Sequence, residues 1–286
     1  MPQFDSEIVP IYRDFMKLKI FMFWAAIVLI LPSGPRVSAE PFPSIVKVAY
    51  EGYLGPLYLL SAAVEISMDD GVYRIATNFK TEGFANWFFY LQNQAVSEGR
   101  RGNRGIVPLS FRMKAFWNDK SRNAKLKYVD GSPILEKLLP PPEEVENKAV
   151  PHSLITETID PLSMALRMLS VMGNGKECPG TYKVFDGRRR YDLAFTDERV
   201  VDLAEESSSI VRGAARRCKM AIERVSGFWD KSKLITETRE TPFVWMARPL
   251  KNGPLLPVKF ESIYKFGKIR IYLTRLEVDD KIIALD

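Results

Sequence analysis

Apolar and polar residues alternate with a period of two along much of the chain. Residues 58–68 and 73–79 each place apolar side chains at every second position, and Asp69-Asp70-Gly71 lies between them. Successive side chains of a strand point to opposite faces of a sheet, and Asp-Gly favours a tight hairpin turn. The pattern therefore predicts an antiparallel hairpin with one face toward water.

Similar alternation predicts further strands before and after this hairpin. They cover residues 50–53, 109–117, 124–129, 182–185, 191–195, 220–228, 243–247, 258–266 and 269–276. Residues 87–91 are apolar throughout and form either another strand or a short helix at a bend.

One helix start and one interruption also stand out. Asp160 followed by Pro161 combines an N-cap residue with a residue that needs no N–H in the first turn, and Gly173 ends the predicted helix. Pro140-Pro141-Pro142 removes three consecutive N–H groups that a central strand requires. Residues 133–151 are therefore predicted to be an exposed, Pro-rich excursion.

Many strands with a single clear helix predict an all-β, mainly antiparallel fold. We expect one curved sheet that closes into a barrel or a spiral, with one or two short helices. A β-sandwich is the alternative topology. With 286 residues, of which 46% are hydrophobic, the chain is long enough for one large domain, which we place at residues 40–286.

The N-terminal region has the layout of a signal peptide. Lys17 and Lys19 precede an apolar run of about 12 residues, which is shorter than the roughly 20 that a membrane-spanning helix needs. Small residues at positions 37–39 predict cleavage between Ala39 and Glu40, so that residues 1–39 are removed. Translation from Met16 would fit this layout, because acidic residues precede it. A retained N-terminal anchor is the alternative, and periplasmic localisation is the prediction.

The two cysteines and the net charge narrow the class of protein. Cys178 and Cys218 follow the export signal, and in an oxidising compartment they are expected to form a disulfide; two buried free thiols are the alternative. Removal of residues 1–39 takes four of the 41 basic and three of the 35 acidic residues, so the remaining chain has a net charge of +5, which favours anionic surfaces such as lipid headgroups. It is not concentrated as in nucleic-acid-binding proteins, so no nucleic-acid partner is predicted.

Several short motifs occur together in a fixed order along the exported part of the chain. They are Tyr50-Glu51-Gly52-Tyr53-Leu54-Gly55, Asp160-Pro161-Leu162-Ser163, Phe185-Asp186-Gly187-Arg188-Arg189-Arg190-Tyr191, Cys218 and Pro257-Val258-Lys259-Phe260. In this combination the chain resembles the bacterial envelope family catalogued as domain of unknown function 3108. The resemblance implies a periplasmic β-rich protein and no catalytic residues.

Few residues offer recognisable catalytic or metal-binding chemistry. His152 is the single histidine and lies in the Pro-rich excursion, where a general base would lack a fixed position. One histidine and two distant cysteines do not make a closed zinc site, and no metal or cofactor is predicted. Residues 173–176 lack the full glycine spacing of a phosphate-binding loop and are interpreted as the end of the helix.

Carboxylates on predicted strands are the remaining catalytic candidates. Asp192, Glu223 and Glu261 each alternate with apolar residues. Such positions normally face water, although two of these carboxylates could meet across the sheet and act as an acid-base pair.

Three consecutive arginines, Arg188, Arg189 and Arg190, follow a predicted two-residue Asp186-Gly187 turn. In that register Arg189 faces the apolar side of the strand and could bind a phosphate or carboxylate headgroup, because guanidinium groups bind such anions in a bidentate manner. A solvated turn with local ion pairs is the alternative. The same two interpretations apply to a second basic cluster, formed by Arg212, Arg216, Arg217 and Lys219.

Together these features predict a non-enzymatic periplasmic envelope protein. It would bind a lipid-like or apolar ligand, or an envelope-protein partner, in support of envelope maintenance, and it would have no stable membrane span after signal cleavage. A carboxylate-dependent hydrolase acting on cell-wall or glycan substrates is the alternative.

Overall fold

A computed structural model describes residues 43–102, 105–142, 149–204, 208–228, 240–279 and 281–284. The predicted signal peptide, with Met16 and the cleavage site between Ala39 and Glu40, lies outside these residues. The strands are β1 (Ile45–Leu54), β2 (Leu57–Asp69), β3 (Val72–Thr81), β4 (Leu91–Gly102), β5 (Gly105–Trp117), β6 (Lys120–Val129), β7 (Ser132–Leu139), β8 (Thr181–Phe185), β9 (Arg190–Leu203), β10 (Gly213–Ser226), β11 (Phe243–Ala247), β12 (Leu256–Tyr264), β13 (Gly267–Val278) and β14 (Lys281–Ala284).

The helices are short: α1 (His152–Ile155), α2 (Pro161–Gly173) and a 3-10 helix at Gly83–Trp87. Within the residues described above, no helix is both long enough and apolar enough to cross a membrane.

All fourteen strands belong to one sheet. Its order is β7-β6-β5-β4-β3-β2-β1-β13-β12-β11-β10-β9-β8, with β14 added beside β13. The ladders between neighbouring strands are antiparallel, and β1 pairs with both β2 and β13. The predicted all-β, single-sheet fold is therefore confirmed, and the two-sheet sandwich does not form.

The predicted first hairpin and its turn are confirmed. Asp70 and Gly71 connect β2 to β3 with φ angles of 42° and 74°. Two left-handed residues give the turn whose twist matches the flanking strands, which explains why Asp-Gly occurs here. Asp130 and Gly131 repeat this arrangement between β6 and β7, with φ angles of 50° and 79°.

The Pro-rich excursion begins later than the sequence suggested. Ser132–Leu139 forms β7, which pairs with β6 and occupies one edge of the sheet. An edge strand tolerates Pro133 because one side of its backbone makes no ladder bonds. Residues 143–148 of the predicted excursion lie outside the described residues.

Helix α2 packs against the inner face of the sheet, and its start and end agree with the prediction. Asp160 caps its first turn, and the helix ends at Gly173. Its buried side chains Leu166, Leu169 and Met172 belong to a core that also includes strand residues from both halves of the chain. The concave face of the sheet is therefore covered by a helix and its apolar side chains.

The cap residue Asp160 is fully buried and joins α2 to two strands. One carboxylate oxygen accepts the N–H groups of Leu162 and Ser163 at 3.1 and 2.9 Å. The other accepts hydroxyl groups from Ser163 at 2.6 Å, Ser97 at 3.2 Å and Tyr128 at 3.3 Å. Burial raises the pKa of Asp160, and the hydrogen bonds to the carboxylate act in the opposite direction.

The sheet curls until its two edges meet, without forming a closed ladder among the described residues. The β8–β9 turn lies against β6 and β7, so that a Cβ added at Gly187 would lie 2.6 Å from the Cβ of Ala124. In addition, the Arg188 side chain donates to the Pro140 carbonyl at 2.6 Å. We call this contact between the two edges the seam.

The predicted disulfide between Cys178 and Cys218 is present, with 5.9 Å between the two Cα atoms. Both cysteines are buried in the main core. The bond connects the segment that follows α2 to the middle of β10, so it fixes the helix side of the core to the sheet.

Candidate functional site

The turn between β8 and β9 lies one residue later than the predicted Asp186-Gly187 turn. Phe185 and Arg190 form the last ladder pair, and the Asp186 N–H donates to the Arg189 carbonyl at 3.2 Å, which leaves Gly187 and Arg188 at the tip. The Asp186 carboxylate accepts the N–H groups of Arg188 and Arg189 at 2.9 and 2.7 Å. This side-chain capping stabilises the displaced turn.

Because the turn is displaced, the three arginines do not follow the predicted alternation. Arg189 is half-exposed, whereas Arg188 and Arg190 are buried. Arg189 pairs with the Asp186 carboxylate at 2.7 Å, and this charge raises the pKa of Arg189 against the effect of burial. Arg190 donates to Asp192 at 2.6 Å and to the Leu154 carbonyl at 3.1 Å.

Arg188 differs from its two neighbours. It is 6% exposed, and one nitrogen of its guanidinium donates to the Pro140 carbonyl. Its Nε and Nη1 atoms are buried and have no hydrogen-bond partner. Burial lowers the pKa of Arg188, Asp186 acts to raise it and Arg189 acts to lower it. A buried charged group with unused donors is costly, since each missing hydrogen bond costs about 1–3 kcal/mol or more.

A fourth arginine, Arg122, lies on the other side of the seam from Arg188. Arg122 lies on β6 next to Asn123, which pairs with Leu139 just before Pro140. Burial lowers the pKa of Arg122, and the positive charges of Arg188 and Arg189 lower it further. Arg122 is two residues from Ala124, which lies against Gly187, so it is on the β6 side of the seam near the β8–β9 turn. Sequence reasoning missed Arg122 because nothing in its neighbourhood predicts which strand will meet the β8–β9 turn.

The second basic cluster is largely engaged in ion pairs. Arg216 pairs with Asp197 at 2.7 Å. Arg217 binds Glu198 and lies with its guanidinium carbon 4.2 Å from the centre of the Phe243 ring. These contacts join neighbouring strands of the sheet and give the arginines a structural role.

Two of the three candidate carboxylates lie on neighbouring strands. Asp192 and Glu223 are directly opposite each other in the β9–β10 ladder, and Asp192 accepts the hydrogen bond from Arg190. Glu261 lies on β12 and accepts a hydrogen bond from Lys268 at 3.0 Å. Burial acts to raise the pKa of Glu261, but its basic neighbours hold it below the usual value.

The other sequence candidates lie apart from these groups. His152 is exposed at the start of α1. Residues 173–176 end α2, where the Gly175 N–H donates to the Met172 carbonyl at 2.9 Å. Across the described ranges, no group of three or more His, Cys, Asp or Glu side chains could hold a metal ion.

A surface at one end of the strands is rich in exposed aromatic side chains. The ladders place the β1–β2, β3–β4, β5–β6 and β12–β13 connections at this same end. Each connection or its flank carries an exposed large apolar residue, including Leu57 in the first of them. We call this surface the aromatic end and define it by Phe84, Trp87, Phe88, Tyr90, Trp117 and Phe266.

The aromatic end is built around the 3-10 helix. Phe84 contacts Trp87 and Phe88, with ring centres 5.7 and 4.9 Å apart. The loop after the helix is fixed to the β5–β6 turn, because the Tyr90 N–H donates to the Asn118 side chain at 2.8 Å and the Asn118 N–H donates to the Tyr90 carbonyl at 2.7 Å. The aromatic rings are therefore presented on a fixed backbone.

The exposure of these rings is large and restricted to one end. Trp87 is 82% exposed and Phe88 is 69% exposed. All exposed aromatic residues of the described chain belong to the aromatic end. Exposed Lys120 begins β6 opposite Trp117, and exposed Lys265 precedes Phe266 in the β12–β13 turn. Clustered apolar groups on a protein surface commonly mark a binding site for a membrane or another protein.

One solved structure with a similar fold supports the architecture, and a second is more distant. The beta-barrel-like protein of domain of unknown function DUF1849 from Brucella abortus is 12% identical, with a TM-score of 0.53, and the match covers 84% of this chain and 99% of that one. A "putative lipoprotein" from Parabacteroides distasonis is 10% identical, with a TM-score of 0.30, and the match covers 82% and 97% of the two chains.

Comparison of the sequence with protein families is more specific. No curated protein matches the chain significantly. The model of the family described as "Protein of unknown function (DUF3108)" matches residues 50–274, which include β-strands from both halves of the sheet, α2 and the seam. The chain therefore belongs to the DUF3108 family of proteins of unknown function.

Proposed function

We propose that this protein is a non-enzymatic envelope protein that attaches to a lipid surface through its aromatic end. The location follows from the signal-peptide layout of residues 1–39, which predicts export to the periplasm. The mode of attachment rests on one observation: the exposed aromatic residues are collected at a single end of the strands.

The distribution of apolar surface favours attachment to an extended surface over binding of a ligand inside the curved sheet. Helix α2 and its apolar side chains cover the concave face. The exposed apolar residues of the aromatic end instead follow one another along neighbouring turns. Trp and Tyr prefer the boundary between lipid and water, and the lysines beside Trp117 and Phe266 complement anionic headgroups.

Vesicle flotation tests this function. Vesicles of phosphatidylcholine with phosphatidylglycerol should carry the wild-type protein upward in a density gradient. W87A/F88A should bind about 30-fold more weakly, because partial burial of the two side chains contributes about 2 kcal/mol. V72A/I282A is the matched control, since Val72 and Ile282 are also exposed apolar residues but lie near the opposite end of the strands. Equal flotation of W87A/F88A and the wild type would reject attachment through the aromatic end.

A further inference from the structure

We propose that a cleft at the end of the strands opposite the aromatic end binds a small organic carboxylate through Arg101 and Arg248. The cleft lies where the C-terminal end of α2 meets the end of β4 and the β11–β12 connection. We call it the basic cleft, and its walls include Pro43, Arg101, Leu169, Ser170, Arg248 and Leu255. The site is separate from the aromatic end and does not depend on the function proposed for it.

The two guanidinium groups of the basic cleft are held in place by the fold. Arg248 donates to the carbonyl of Gly173 at 2.8 Å and to that of Gly253, so it connects the end of α2 to the β11–β12 connection. The backbone N–H of Arg101 donates to the Gly71 carbonyl at 2.6 Å, which fixes the end of β4. A ligand that needs positive charge at this place therefore meets side chains whose backbone positions are already fixed.

The hydrogen bonds of these arginines leave donors for a ligand. Arg248 uses two of the five N–H groups that a guanidinium carries. The Arg101 side chain donates to the sulfur of Met68 at 3.5 Å, and a thioether is a weak acceptor. Within the described part of the chain, no carboxylate lies within ion-pair distance of Arg101 or Arg248.

The charge balance of the basic cleft favours an anion. The C-terminal end of a helix carries about half a negative charge, and α2 ends at this place. Arg101 and Arg248 each add one positive charge, so these three contributions leave about +1.5. The described residues that line the cleft include no Asp or Glu side chain that would offset this excess.

The size and the apolar part of the basic cleft restrict the ligand further. The cleft has a volume of about 60 Å³, and about 10–15 Å³ is needed for one water molecule, so it holds about four to six. This is enough for a short carboxylic acid and too small for an acyl chain. Pro43, Leu169 and Leu255 would leave some oxygens of a phosphate without hydrogen-bond partners, whereas they can contact the carbon atoms of an organic carboxylate.

Titration of the isotope-labelled protein with butanoate, followed by NMR, tests the site. We expect saturable shifts at the N–H groups of Gly175 and Gly253, with a dissociation constant of about 1–10 mM for a ligand of six non-hydrogen atoms. R101Q should weaken binding by about tenfold to a hundredfold, the effect of one charged hydrogen bond. Sodium chloride at equal ionic strength should not cause these shifts.

Two further variants separate the site from general effects of charge. R112Q is the matched control, because Arg112 is an exposed arginine on β5 that pairs with Glu98, and it should bind butanoate as the wild type does. S170F should abolish binding without changing the charge, because the new ring would fill the basic cleft next to α2. Absence of saturable shifts in the wild type, or equal binding by the wild type and R101Q, would overturn the proposal.

Two other ligands identify the chemistry and its source. Inorganic phosphate should bind more weakly than butanoate, and equal binding would overturn the assignment to an organic carboxylate. Acetyl-Ala-Ala carries the same carboxylate as the end of a peptide. Tighter binding of this compound than of butanoate, lost in its C-terminal amide, identifies a peptide terminus as the source, whereas binding of butanoate alone identifies a free acid.

The same titration distinguishes this proposal from attachment through the aromatic end. W87A/F88A should bind butanoate as the wild type does, because Trp87 and Phe88 lie at the other end of the strands. R101Q should in turn float with vesicles as the wild type does. A failure of the aromatic end can therefore be told apart from a failure of the basic cleft.

Discussion

Replacing Asp160 tests how α2 is held inside the sheet. D160A removes the carboxylate that caps the helix and accepts hydroxyl groups from β4 and β6. Loss of the N-cap costs about 1 kcal/mol. The Ser163 and Tyr128 hydroxyls lose a buried acceptor, which costs at least about 1 kcal/mol each. We therefore expect the free energy of unfolding to fall by about 3 kcal/mol, a large part of the roughly 5–15 kcal/mol typical of a domain.

Urea denaturation with the disulfide intact measures this change. D160N should lose less, about 1–2 kcal/mol, because its amide oxygen can still cap the helix. D119A is the control, since Asp119 is an exposed carboxylate in the β5–β6 turn, and its effect should stay within about 0.5 kcal/mol. If D160A were no more destabilising than D119A, with an unchanged dependence on urea, the buried network would not anchor the helix.

The pH dependence of the same measurement has a definite sign. Burial raises the pKa of Asp160 above 3.8, so the folded protein retains this proton at pH values where the unfolded chain has released it. The contribution of Asp160 to stability is therefore complete below the unfolded pKa and declines as the pH rises toward the folded pKa. The stability of the wild type relative to D160N should accordingly fall as the pH rises above the unfolded pKa. A stability difference that rises with pH would mean that the hydrogen bonds to the carboxylate lower its pKa by more than burial raises it.

Three further predictions concern the disulfide, the seam and the hydrolase alternative. C178S/C218S should lower the free energy of unfolding by about 4 kcal/mol, the chain-entropy value for a sequence separation of 40 residues; an unchanged urea midpoint would contradict this. G187A should lower the free energy of unfolding by about 2–3 kcal/mol, because the φ of Gly187 is +90° and the new Cβ would meet Ala124. G131A should lower it by about 1 kcal/mol, because the φ of Gly131 is +79° but no atom lies within 4 Å of the new Cβ. Equal losses would show that the seam is loosely packed. The hydrolase alternative is tested with the carboxylate variants D192N, E223Q and E261Q. Loss of an envelope phenotype with unchanged stability would support the hydrolase, and a retained phenotype would reject it.

Local sequence signals predicted the elements whose structure is determined locally. Asp70-Gly71 specified a turn by its own backbone preference, and Asp160-Pro161 specified a helix start in the same way. Strand β4 was missed because its first residue, Leu91, is followed by Gln92 and two further polar residues. Its conformation depends on ladders with β3 and β5.

The seam could not be predicted because it depends on closure of the whole sheet. Asp186 was identified as a turn residue, but it pairs with Arg189 and caps two following N–H groups, which moves the turn by one residue and changes the direction of Arg189. Arg122 joins the site only when β6 meets the β8–β9 turn. No periodicity within either segment carries that information.

The position of β1 in the sheet has a consequence for how the chain folds. β1 lies between β2, which follows it directly, and β13, whose Glu277 meets Lys47 across 230 residues of sequence. During synthesis or translocation from the N-terminus, one side of β1 must remain open until almost the entire polypeptide has emerged. Such late, long-range closure slows folding and leaves a strand available for wrong pairings, so a holding chaperone would be most useful during that interval.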